Sequence, residues 1–130
     1  KDHPLASHDE VSFRELVHED FLILDSTYML HDRIIKNCEI AGFYPHITTE
    51  SSQWDFLAEM VAYNQGISIL PVPIMERFYS SERIKMVRLR EPEFPWNIAM
   101  IFKKEKLITA QMKDFIHFVV NNKDTVKEYT

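Results

Sequence analysis

The stretch from Ala41 to Pro71 constrains the fold most. It holds Ala41-Gly42-Phe43-Tyr44-Pro45, then Glu50, Trp54, Leu57 and Met60-Val61-Ala62, and closes with Gly66-Ile67-Ser68-Ile69-Leu70-Pro71. This order reads as a helix end, a strand, a helix, a glycine stop, a buried strand and a proline stop. The flanking segments extend the alternation. Phe21-Leu22-Ile23-Leu24 is an unbroken apolar run ending in Asp25-Ser26-Thr27, the pattern of a buried parallel strand feeding a polar loop. From Tyr28 to Ala41, the residues Leu30, Ile34, Ile35, Cys38 and Ala41 recur at helical spacing, and Gly42 is placed to end that helix in the left-handed conformation.

Beyond these elements the same logic gives a strand over 46–49 after Pro45. A helix follows, capped by Ser51 or Ser52, with Trp54, Leu57, Ala58, Val61 and Tyr63 on its apolar face. Gly66 is expected to stop it, and 67–70 forms the next strand. Pro73 fits the first turn of a short helix through Phe78, where a missing N–H costs nothing. Strands are expected over 84–89 and 96–102, with a turn over 91–95. Thr109 caps a last helix whose stripe is Met112, Phe115, Ile116, Val119 and Val120, and the tail from Asn121 is polar. Residues 1–20 read as a loop with one helical turn after Ser12. The fold class is therefore α/β, a three-layer lobe around a mostly parallel sheet of about five strands.

Bulk properties narrow the function. A chain of 130 residues fits one domain, and 45% apolar residues suffice for a core. Two glycines leave no room for Gly-rich phosphate loops, and a net charge of −5 without a Lys/Arg-dense patch argues against gripping a nucleic-acid backbone. The longest apolar run, near 67–74, is too short to span a membrane and is broken by prolines. No secretory signal is visible, and the lone Cys38 suits a reducing cytoplasm. The first residues read as mid-domain, so the chain is expected to be a piece of a longer protein.

In an open parallel sheet, ligands sit off the carboxyl ends of the strands, beside helix N-termini. The candidates there are Asp25, Ser26, Thr27 and Tyr28, then Ser52 and Gln53, then Pro71 and Val72. Ser26 and Thr27 offer hydroxyls ahead of a helix, where an anion is favoured, although Ser and Thr in that place more often cap the helix. Asp25 would repel a carboxylate. It therefore points away, caps the helix, or marks a cationic or neutral ligand. Trp54 lies on its helix's apolar stripe and reads as core. The six histidines have no i, i+4 pair on one helix, so no metal site is expected. No catalytic constellation is expected either: Ser26, His31 and Asp25 lack a nucleophile elbow. No cofactor is called for.

With His3-Pro4-Leu5-Ala6 upstream, the stretch from Ala41 to Pro71 resembles the effector-binding domain of LysR-type transcriptional regulators, over His3 to about Val120. The resemblance implies two lobes of periplasmic-binding-protein type closing over a small metabolite. The loops at Asp25–Tyr28, at 51–53 and at 70–72 would line that cleft. Residues 1–103 would be the second lobe, and 104–130 the helix and tail that return to the first. With most of that first lobe outside the chain, Met112, Phe115, Ile116 and Val119 would either repack on their own lobe or pair with another copy. DNA would be bound through an N-terminal domain not in this chain, the whole being a cytoplasmic dimer or tetramer. A lobe of a transport solute-binding protein is the alternative.

Overall fold

The computed structural model describes residues 2–78, 82–90, 100–103, 105 and 107–122. The chain divides into two compact units, Lys1–Phe94 and Pro95–Thr130. The first is an α/β unit built on β2 (Asp20–Leu24). Phe21, Leu22, Ile23 and Leu24 are all buried, although their side chains alternate between the two faces of the strand. Both faces are therefore covered. Full burial of each such side chain is worth roughly 1.5–3 kcal/mol.

α1 (Met29–Ile40) turns a stripe of Leu30, Ile34 and Cys38 into the same core. It ends as expected. Gly42, at φ 97°, sits just beyond the helix, the Phe43 amide donates to the Cys38 carbonyl at 3.0 Å and the Gly42 amide donates to Glu39 at 3.0 Å. β3 (His46–Ser51) then runs parallel to β2. It extends past Thr49 because Glu50 and Ser51 keep pairing with Ile23 and Leu24. A register shift between Phe21 and Leu22 leaves Thr48 as the extra residue, and its hydroxyl donates to the Phe21 carbonyl at 3.4 Å.

α2 (Trp54–Ala62) packs Leu57 and Ala58 inward. Trp54 is half-buried against the core, whereas Tyr63 is exposed, with the Arg83 guanidinium 5.7 Å above its ring. The residue that ends α2 is not Gly66. Asn64 takes the left-handed conformation at φ 57°, its amide donates to Val61 and the Gln65 amide donates to Met60. Gly66 serves a close approach instead: a Cβ there would lie 2.4 Å from the Asp20 carbonyl oxygen. That approach lets Ile67 bridge β2, its amide donating to Asp20 at 2.8 Å and its carbonyl accepting from Leu22 at 2.9 Å.

The strand expected over 67–70 is only this single bridge, and Pro71, without an N–H, cannot extend it. The strand expected over 84–89 is ladder-paired only at β4 (Arg88–Leu89). Its partner is β1 (Glu10–Val11), parallel, within a segment that reads as loop. The described strands thus form two two-stranded parallel sheets rather than one of five. Around β1 lie single 3-10 turns at Pro4–Ser7 and Phe13–Leu16. In the latter, the Ser12 amide and hydroxyl both donate to the Glu15 carboxylate, holding its pKa low. α3 (Val72–Phe78) carries Pro73 in its first turn and packs Met75 with Ala58 and Ile84.

The second unit contains α4 (Ala110–Asn121), capped by the Thr109 hydroxyl, which accepts from the Met112 amide at 3.3 Å. Met112 and Ile116 are half-buried, while Phe115 and Val119 are exposed. With Met100, Ile101, Phe102 and Gln111, three of these line an open apolar hollow of about 380 Å³. The turn expected over 91–95 and most of the strand expected over 96–102 lie outside the described residues. Residues 100–102 are not in a strand.

Candidate functional site

Parallel pairing brings the carboxyl ends of β2 and β3 to one edge, where each strand passes through a short polar loop into a helix. The two loops are joined. The Asp25 amide donates to the Ser51 carbonyl at 3.1 Å, carrying the ladder one step beyond Leu24. The Tyr28 hydroxyl reaches across and donates to the Ser52 carbonyl at 3.0 Å. On the β3 side, the Gln53 amide donates to the Ser51 hydroxyl at 3.1 Å.

Asp25 points back into its own loop. Its carboxylate accepts from the Thr27 hydroxyl and, at 3.0 Å, from the Thr27 amide, and its carbonyl accepts from the Tyr28 amide. These bonds, the Thr27 hydroxyl first, hold the Asp25 carboxyl below its ordinary value. The loop is thus closed by its own acid, a turn that Asp readily forms.

The capping expected here is not what forms. Tyr28, not Ser26 or Thr27, occupies the cap position of α1, and no side chain caps that helix. Gln53, not Ser51 or Ser52, holds that position on α2, again without a side-chain cap. The Thr27 hydroxyl is engaged by Asp25, while Ser26 is exposed. The first-turn amides of Met29 and Leu30 therefore face the loop without an intrahelical acceptor, beside Asp32 of the same turn.

The structure brings Asp25, Thr27, Tyr28 and Ser52 into one hydrogen-bonded group, with Ser26 and Gln53 alongside. Pro71 and Val72 begin α3, and the Pro71 carbonyl accepts from the Ile74 amide at 3.1 Å. Among the described residues no hydrogen bond links Pro71 or Val72 to the other two loops. His31 also stands at this edge, its imidazole 2.8 Å from Asp32 and 3.8 Å from Glu50, which opens the loop through Gln53; the sequence reading did not count His31 among the ligand contacts. Helical spacing from Tyr28 to His31 is the signal that places both on one side of α1.

Among the described residues, no group of three His, Cys, Asp or Glu side chains is placed to hold a metal ion, and no helix is long and apolar enough to cross a membrane. Cys38 is fully buried in α1, and burial pushes its thiol up to about 11.

An α/β lobe with its polar loops at one strand edge is the class of protein this geometry defines. The model of the LysR substrate binding domain matches residues 1–124. The chain belongs to that family. It is 42% identical over 107 residues to the HTH-type transcriptional regulator YwbI of Bacillus subtilis (strain 168), covering 82% of this chain and 35% of that protein. It is 24% identical over 127 residues to the transcriptional dual regulator GltC of the same organism, covering 98% of this chain and 42% of GltC. A hydrogen peroxide-inducible genes activator of Pectobacterium carotovorum subsp. carotovorum is 26% identical, covering 99% of this chain and 40% of that protein. The chain thus spans well under half the length of these relatives. Among solved structures, the effector binding domain of QuiR in complex with shikimate matches with a TM-score of 0.74 at 19% identity, over 96% of this chain and 58% of that one. The shared fold is therefore that of an effector-binding domain.

Proposed function

We propose that this chain is the effector-sensing part of a bacterial LysR-type transcriptional regulator, and that the edge formed by Asp25–Tyr28 and Ser52-Gln53 contacts a small metabolite. One observation carries the reading: the loops after two adjacent parallel strands are locked together by Tyr28 and Ser52, where such sheets take their ligands. That the matched relatives are regulators favours sensing over transport.

Residues 1–103 serve as the second lobe, with Pro71 and Val72 lining its margin. Residues 104–130 return to a first lobe supplied by the rest of the protein. The effector closes the lobes and shifts the balance between oligomer arrangements, because it binds them unequally. DNA is contacted by another part of the regulator, which works in the cytoplasm and is not an enzyme. The exposed Phe115 and Val119, with Met112 and Ile116, give it an apolar surface for self-association.

The test uses the whole regulator and a reporter gene. Ser26→Ala and Tyr28→Phe are expected to lower the response to effector while promoter binding stays intact. An unchanged effector response in both variants, with promoter binding intact, contradicts the assignment.

A further inference from the structure

Hydrogen bonds where the two loops meet fix the direction of their hydroxyls. The Tyr28 hydroxyl donates to the Ser52 carbonyl at 3.0 Å, and the Thr27 hydroxyl donates to the Asp25 carboxylate. A hydroxyl has one proton, so both oxygens are left with lone pairs alone. Asp25, its carboxyl held low by the Thr27 hydroxyl and amide, is ionised at neutral pH and can only accept. Ser26 and Ser52 are exposed hydroxyls that serve either way, and the Ser51 hydroxyl, which accepts from the Gln53 amide at 3.1 Å, keeps its proton. The groups whose direction is fixed at this junction are therefore acceptors.

Charge points the same way. Residues 15–32 and 37–76 hold every candidate contact and contain no lysine or arginine. The nearest basic residues in the chain, Arg33 and Lys36, follow the first turn of α1, and Arg77 is in the last turn of α3. The imidazole at the edge, His31, already has Asp32 at 2.8 Å. The starts of α1 and α2 work in the other direction. Each carries roughly half a positive charge, and the Met29 and Leu30 amides are donors. Whole charges stand against them: Asp32 in the first turn of α1, Asp55 in the first turn of α2, Asp25 in its loop and half-exposed Glu50 on β3. Four carboxylates outweigh two helix ends.

We propose that the part of the effector received by this lobe is a hydrogen-bond donor without negative charge, either an ammonium group or the hydroxyls of a polyol. Its donors meet the Thr27 and Tyr28 oxygens and the outer lone pairs of Asp25. A carboxylate finds no lysine or arginine in these loops, and it meets acceptors where it needs donors. An acid group in the same effector is therefore left to the rest of the protein. The inference rests on the reading of these loops as effector contacts, but the sign of the field at them is measured without an effector.

The test follows the amide protons of the full 130-residue chain by nuclear magnetic resonance at low salt. Two nitroxides of like size are added in turn, one bearing an ammonium and one a carboxylate. The cationic probe is expected to relax the amides of residues 26–28 and 52–53 at least about threefold more than the anionic one, the ratio for a local potential of roughly half kT. Asp32→Asn with Glu50→Gln, both at exposed positions, is expected to bring that ratio toward one. Three four-carbon compounds are then compared by chemical shift: 1,4-diaminobutane, erythritol and succinate. Larger shifts at these loops with the diamine assign an ammonium, and larger shifts with erythritol assign a polyol. An anionic probe that gathers at the loops as much as the cationic one overturns the proposal, as does succinate shifting them most. A cation excess at the loops, with the shifts from all three compounds confined elsewhere, overturns the effector reading while the measured field stands.

Discussion

The Tyr28 hydroxyl donates to the Ser52 carbonyl at 3.0 Å, tying together loops that lie 24 residues apart in the chain. The bond spans the ends of two parallel strands and is solvent-exposed, so its energy is modest while its geometric effect is local. Tyr28→Phe keeps the ring and removes the donor. It is expected to cost about 1 kcal/mol or less in urea unfolding with an unchanged slope, as loss of an exposed neutral hydrogen bond does. A change of several kcal/mol means that the hydroxyl supports the core rather than the loops.

Asp25 makes the loop sensitive to acid. Its carboxyl is held below the ordinary Asp value of 3.8 by the Thr27 hydroxyl and amide, so the folded state favours the ionised form. The sign follows from linkage: this contribution is full above 3.8 and is lost as pH falls through the lowered folded value. Hydrogen exchange at the Thr27 amide is expected to be slow at neutral pH relative to Asp25→Ala. Equal exchange in the two proteins contradicts the turn.

Gly66 has a backbone reason to be glycine. It holds φ at 152°, and an added Cβ meets the Asp20 carbonyl at 2.4 Å, a backbone atom that cannot swing aside. Gly66→Ala is expected to destabilise the chain by roughly 1–3 kcal/mol, the range for backbone strain and overpacking, and to weaken the Ile67 bridge. Gly42→Ala meets no atom within 4 Å and carries only the cost of its φ of 97°. Thermal unfolding of the two variants ranks them, and a costlier Gly42→Ala contradicts the close-packing account.

Cys38 is a core residue. Full burial removes access, and a thiol pushed up to about 11 has little thiolate at neutral pH. Alkylation by iodoacetamide at pH 8 is expected to proceed only as the protein unfolds, accelerating with urea in step with loss of structure. Rapid labelling of the folded chain shows that the helix opens locally.

Much of the fold is legible in periodicity. The apolar run at Phe21 gave a buried strand, and Leu30, Ile34 and Cys38 gave the inner face of α1, because burial demands apolar atoms at those spacings. Polar pairing was harder to read. β1 hides in a polar stretch and β3 runs on through Glu50 and Ser51, since ladders are made by backbone groups that every residue carries. Helix ends misled for a related reason. Asn64 reaches the left-handed region that Gly66 seemed to mark, and Thr27 bonds to Asp25 rather than to the helix. At the site, strand order brings the loops after β2 and β3 to one edge, while the corner at Pro71 follows a single bridge rather than a strand. The Tyr28–Ser52 bond and the position of His31 between carboxylates depend on side-chain directions across two strands, which no local pattern encodes.

The most direct measurement is a map of amide chemical shifts along the chain as a panel of small neutral, cationic and anionic metabolites is added at millimolar concentration. The account expects the ligand that binds to shift residues 25–28 and 52–53 first, with smaller changes at 71–72. A ligand that binds while leaving those loops unmoved, with its shifts confined to the hollow beside Met112 and Phe115, contradicts the account.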